Sequence, residues 1–192
     1  MDKKIKDRRN GILSLQTRRF GNMMEIVIRE LYGLEECKGS SCNLYDSNNG
    51  YKIAVAFSRA LLFAERNLKV NPLEACICST IHKRSVKSTD AEKRYNCVFQ
   101  QLKLKKFDYL YYGILFKDKV LIFKAPSSDI PHMPCFSNFQ HKDNKNESQF
   151  HIDQTSIGWH VDRYLDRELS YEEIYDLLSK LGKNDFTVKK DK

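Results

Sequence analysis

Between Gln16 and Tyr32 the apolar residues Phe20, Met23, Met24, Val27, Ile28 and Leu31 recur at steps of three and four, which predicts an amphipathic helix stopped by Gly33. The period then shortens. Asn43 to Asp46 predicts a short strand, Asn48-Asn49-Gly50 a tight turn and Tyr51 to Phe57 a buried strand, together a β-hairpin carrying an acid at its first corner. Ser58 to Arg66 has helical propensity, and Asn71-Pro72 breaks it. Residues 73–96 start apolar and turn polar and basic, too long for an ordinary connection. Cys97 to Lys103 alternates like a strand, and Tyr109 to Lys124 predicts a hairpin, turned at Lys117-Asp118-Lys119, apolar enough to be central in a sheet. Pro126, Pro131 and Pro134 mark a linker-like stretch, and residues 141–149 a hydrophilic loop. Phe150 to Val161 forms an aromatic and histidine cluster in which Trp159 is expected to anchor the C-terminal helix. That helix opens on a capping box, Ser170 with Glu173, runs through Ile174, Leu177, Leu178 and Leu181, and is closed by Gly182. Residues 1–15 read as a basic, mobile arm with a short ordered end. The expected fold is α/β: a mixed central sheet of about five strands flanked by helices.

The length of 192 residues suits one domain with a sizeable core. No apolar run reaches membrane-spanning length and the N-terminal MDKKIKDRRN lacks an apolar signal region, so a soluble, cytoplasmic protein is expected. A net charge of +8, from 33 Lys and Arg against 25 acids, favours a polyanionic partner such as nucleic acid. Cysteines at 37, 42, 76, 78, 97 and 135 are expected as free thiols; Cys37-x4-Cys42 has a spacing zinc accepts, but Cys76-x-Cys78 is too short for a usual second arm. His151 and His160 have no Cys or acid at matching ligand spacing, which favours packing or hydrogen-bonding roles.

The hairpin carries the candidate chemistry. Residues i and i+2 of a strand share a face, so positions 54 and 56 project together, and they are expected to point toward Asp46 while Val55 packs behind and offers its carbonyl. With Glu at 54 and Lys at 56 the strand would read KIEVKF, and the hairpin resembles the PD-(D/E)xK motif of small type II restriction endonucleases. In this chain both positions are Ala, and Tyr45 stands where the motif has a loosely kept Pro. A second resemblance is Gln101-Leu102-Lys103 followed by Phe107-Asp108, similar to the QxK-x-x-x-FD arrangement after the catalytic strand in several such enzymes. Together the two span roughly residues 16 to 125.

The resemblance implies a restriction endonuclease-like core and Mg²⁺-dependent hydrolysis of double-stranded DNA. Asp46, an acid at position 54 and the Val55 carbonyl would hold the metal, a hard oxygen cage suited to Mg²⁺, and a Lys at 56 would orient water or stabilise charge. It further implies Glu25, on the preceding helix, as a supporting acid and Gln101 or Gln100 as a neighbour of the site. Ala54 and Ala56 mark vacated positions, so this chain is expected to bind its substrate better than it cuts it. DNA contacts are expected from Ser58 and Arg59, from the basic insertion through His82, Lys83, Arg84 and Lys87, and from Lys103, with Arg84 as guanine reader because its fork engages two acceptors. A homodimer suits a palindromic site, and a cognate methyltransferase is expected genetically but not as a subunit. Two other readings stay open: a nucleic-acid-binding protein that never cut, and a basic protein-interaction domain.

Overall fold

The computed structural model describes residues 2–37, 42–62, 81–90, 92–139 and 147–181. Helix α1 (Lys3–Ser14) and helix α2 (Thr17–Tyr32) open the chain. β1 (Glu35–Glu36), β2 (Leu44–Asp46), β3 (Tyr51–Arg59) and β4 (Leu61–Leu62) follow, then a short helix α3 (Ile81–Arg84). β5 (Tyr95–Leu102), β6 (Tyr109–Leu115), β7 (Lys119–Pro126) and β8 (Ser148–Asp153) lead to α4 (Ile157–Tyr164), β9 (Leu165–Ser170) and α5 (Tyr171–Ser179). The fold is mixed α/β, as expected, and the described residues hold more strands than expected: six in the order β1-β2-β3-β6-β7-β9 and three more in a second sheet, β4-β5-β8.

In the larger sheet only β3 and β6 run parallel, Val55 facing Tyr111; the other pairs are antiparallel. The sheet is buried on both faces. Leu110, Tyr112, Ile114, Leu121 and Phe123 pack against the second sheet with Cys97, Phe99 and Phe150. Tyr111, Leu115, Val120 and Ile122 pack against the helices with Phe20, Met24, Val27, Ile28 and Ile174. β6 and β7 are therefore near-continuous apolar runs, the signature of strands covered on both sides.

α2 forms for the reasons its periodicity gave. Phe20, Met24, Val27 and Ile28 are its buried stripe, and Gly33 ends it at φ +61°, its N–H donating to the Arg29 carbonyl. The capping box of α5 is also present: Ser170 Oγ accepts from Glu173 N–H, and Glu173 accepts from Ser170 N–H. The N-terminal arm, by contrast, is an ordered helix. Ile5, Arg9 and Leu13 recur at four-residue steps and are buried, and Arg9 donates to the Lys117 carbonyl at 3.0 Å. A charged average composition hid this narrow apolar stripe.

Further expectations are corrected. Ser58 and Arg59 are not helical but continue β3, in parallel register with Ile114 and Leu115, and Leu61–Leu62 joins the second sheet; residues 63–80 lie outside the described ones. Cys37 and Cys42 form a disulfide and are not free thiols, whereas Cys97 is a buried free thiol and Cys135 an exposed one. Trp159 stacks edge-on with His160, lies under Arg163 and packs on the core between the sheets, not against α5.

His151 and His160 are held by hydrogen bonds, to Asn96 and to the Tyr112 hydroxyl. No described helix is long and apolar enough to cross a membrane.

Candidate functional site

The β2–β3 hairpin decides which side chains can meet. Its register pairs Leu44 with Ile53, Tyr45 with Lys52 and Asp46 with Tyr51. Paired residues share a face, so Asp46 lies on the same side as Ile53 and Val55, the helix side, while Ala54 and Ala56 lie on the other. Asp46 therefore does not face positions 54 and 56, contrary to expectation. Its carboxylate is engaged by its own turn, accepting from the Asn48 and Asn49 N–H groups at 3.1 and 3.2 Å and from Asn49 Nδ2 at 2.9 Å. The Asn49 side-chain bond is the main reason its carboxyl is held below the usual range.

The residue that does sit across from Ala54 is Asn43. Its N–H donates to the Ile53 carbonyl, its Oδ1 accepts from Val55 N–H at 3.0 Å, and its Nδ2 donates to Glu25 Oε2 at 2.8 Å. Asn43 thus ties α2 to the strand. Burial raises the Glu25 carboxyl above its ordinary value, with Glu36 adding to the rise and the Asn43 bond opposing it. Asn43 was missed from sequence; the signal was the odd spacing between Leu44 and Ile53, two apolar residues that must share the buried face.

Asn43, Ala54, Val55 and Ala56 line one wall of a polar cleft of about 330 Å³, with Gln100, Gln101, Lys103, Lys106 and Glu147 around it. Gln101 enters it from β5, which belongs to the second sheet. A bulge between Phe99 and Leu102 interrupts the pairing there, and Gln101 takes the left-handed conformation at φ 61°. A non-glycine residue in that region is strained, and bulges re-aim side chains. Lys103 pairs with Glu147 at 3.4 Å. Asp108, the acid of the second resemblance, has a structural role: its carboxylate accepts from Lys52 N–H at 2.7 Å.

The expected DNA-contacting residues do not converge. Ser58 Oγ accepts from Val98 N–H and links the two sheets. Arg59 donates to the Leu15 carbonyl at 2.5 Å and lies 4.0 Å over the Phe20 ring, with burial lowering its pKa, so its guanidinium holds the helices in place. Arg84 donates to the Leu62 carbonyl at 2.8 Å and its Nε is buried, which commits the fork to the fold. Lys83 and Lys87 are exposed, Lys87 beside the turn capped by Asp90; the His82 side chain lies outside the described ones. Of the described side chains of the set only Lys103 lines the cleft.

The ligand set expected for Mg²⁺ is not assembled among the described residues, Glu147 being the one acid that lines the cleft. The two alanines offer no ligand, Asp46 lies on the other face hydrogen-bonded to its own turn, and the described residues contain no group of three His, Cys, Asp or Glu able to hold a metal. Scanned against protein-family models and the curated proteins, the chain matches none.

Proposed function

We propose that this chain is a duplex-DNA-binding protein on a type II restriction endonuclease-like scaffold, its catalytic side chains replaced. The observation that carries the reading is the pair Ala54 and Ala56, the two positions where the resemblance asks for Glu and Lys. They are neighbours on one face of β3 and open into a polar cleft that Gln101 and Lys103, the residues of the second resemblance, also line. The net charge of +8 supports a polyanionic substrate. In this reading the protein is a homodimer on a two-fold symmetric site, Mg²⁺ belongs to an active form with acids at the cleft, and the present chain binds without cutting.

Selection from a randomised duplex library, at moderate salt with Ca²⁺ present, tests the binding. Enrichment of one short symmetric sequence is expected; uniform or absent binding overturns the reading. On the enriched duplex, the hairpin register distinguishes two restorations. Ala54→Glu with Ala56→Lys still lacks a second strand acid beside position 54, since Asp46 lies on the other face and Glu147 pairs with Lys103, so Mg²⁺-dependent cleavage is expected only when Asn43→Asp is added. Cleavage by the double variant alone would show that Asp46 or Glu147 supplies the second acid. No cleavage by the triple variant would favour a binder that never had the activity.

A further inference from the structure

Beside the cleft lies a second, larger concavity of about 630 Å³, lined by Lys103, Leu104, Lys105, Lys106, Asn138 and Phe139 with Ser148. Its floor is a short 3-10 turn, Leu104–Lys106, closed by the Lys106 N–H donating to the Lys103 carbonyl at 2.8 Å. Leu104 packs on the core and Phe107 is buried within it, which leaves Lys103, Lys105 and Lys106 on the outside. Lys103 is partnered by Glu147, while no ion pair engages Lys105 or Lys106 among the described residues. The rim carries an aromatic ring. Phe139 is 49% exposed, and of the described large hydrophobic residues only Tyr51 is comparably open.

The backbone that carries the exposed ring is held in place. Phe139 N–H donates to Ser137 Oγ, and its carbonyl accepts from Ser137 Oγ at 2.9 Å and Gln149 Nε2 at 3.4 Å. Ser137 in turn exchanges both backbone hydrogen bonds with Gln149 of β8, at 2.8 and 2.9 Å. The backbone is held to the second sheet while the side chain forgoes burial. A solvent-facing phenyl on a held backbone, beside lysines, suits a ligand with flat apolar faces and negative charges at regular spacing. A stacked duplex hides its base faces, so a double helix cannot use the ring; an unpaired strand can.

We propose that Phe139 with Lys103, Lys105 and Lys106 is a binding surface for single-stranded nucleic acid, the ring stacking on an unpaired base and the lysines meeting the flanking phosphates. This goes beyond duplex binding at the cleft: Lys103 and Lys106 line both concavities, whereas Phe139 and Lys105 belong to this one alone.

The test is fluorescence anisotropy of the full chain with a labelled 12-nucleotide oligothymidine, an abasic 12-mer carrying the same phosphates, and a duplex of equal length. The wild type is expected to prefer oligothymidine over the abasic strand roughly fivefold or more, the size of one stacked base, and Phe139→Ala to abolish that preference without weakening abasic binding. Lys105→Gln with Lys106→Gln is expected to weaken both strands and flatten the salt dependence by about 1.4 in log–log slope, two contacts' worth. Because the ring is half exposed, the Ala variant is expected to keep the wild-type thermal midpoint. Equal affinity for the thymidine and abasic strands, or a preference that survives Phe139→Ala, overturns the proposal. Displacement by an acidic peptide as effective as by oligothymidine also overturns it, since charge alone would then suffice. The duplex selection reports separately: a symmetric consensus with no Phe139-dependent strand binding sinks only this surface, and the converse sinks only the duplex reading.

Discussion

Lowering the pH should expose the cost of His160. Its ring is fully buried among Tyr112, Phe123, Phe150 and Trp159, its Nδ1 shares a hydrogen bond of 2.9 Å with the Tyr112 hydroxyl, and its Nε2 has no partner. Burial disfavours the imidazolium and lowers the pKa from 6.5 to about 4. The folded pKa lies below the unfolded one, so between them the unfolded chain holds more protons. The stabilisation is therefore complete above pH 6.5 and is lost as pH falls toward 4, with a slope of up to about 1.4 kcal/mol per pH unit. Over the 2.5-unit gap the loss totals about 3 kcal/mol, equivalent to a fall in Tm of roughly 6 to 12 °C for a chain of 192 residues. Urea unfolding at half-unit steps from pH 7.5 to 5 measures about 2 kcal/mol of that loss, staying above the range where Asp46 and Asp153, both lowered, begin to add their own losses. Glu25, raised by burial, contributes with the opposite sign, so the decisive quantity is the difference from a His160→Phe variant. That variant is expected to lose about 1–2 kcal/mol at pH 7.5, where Tyr112 loses its partner, but to show a flatter pH profile. Parallel profiles for the two proteins would refute the assignment of the proton to His160.

Gly113→Ala is expected to cost about 3 kcal/mol by urea titration: the added Cβ would lie 2.1 Å from Phe57 Cε1 and 2.7 Å from the Leu121 carbonyl oxygen, and moving the ring cannot relieve the backbone contact. An unchanged unfolding midpoint would mean that β6 and β7 can separate at that point. Ser170→Ala is expected to cost about 1 kcal/mol with an unchanged denaturant slope, and combining it with Glu173→Ala should add little, since the two side chains cap the same helix end. Full additivity of the two would argue against the capping box.

The helices and central strands were legible because their periods are strong and their terminators specific. Gly33 and the Ser170 box ended or opened helices where the structure ends and opens them. Elements with mixed signals were not. Helix α1 buries one residue per turn within a run of lysines and arginines, and Ser58–Arg59 carries helix-tolerant side chains but is held in a strand by the parallel partner Ile114–Leu115. The Cys37–Cys42 disulfide could not be read because expected compartment, not spacing, had argued for thiols. Arg59 and Arg84 illustrate the limit for sites: a sequence shows a guanidinium, whereas only the fold shows a backbone carbonyl already occupying it.

The hairpin shows why a motif's residue types can be legible while its geometry is not. The side-chain face alternates along a strand, so shifting the pairing by one residue sends every side chain to the other side. A three-residue loop, 48–50, would pair Ser47 with Tyr51 and put Asp46 level with Lys52, on the face of Ala54. The observed four-residue loop, Ser47 to Gly50, pairs Asp46 with Tyr51 and reverses the choice. What selects the longer loop is burial. Ile53, Val55 and Phe57 face the helices, and Leu44, 1% exposed, must join Ile53 there; an even-numbered residue then pairs with an odd one. Asp46, two residues from Leu44, follows it to the helix side, and Asn43 is carried to the cleft. The apolar pattern thus sets which polar residue is presented to any ligand, and in this chain it presents an amide already bonded to Glu25 and to Val55 N–H. That arrangement is satisfied without a cation.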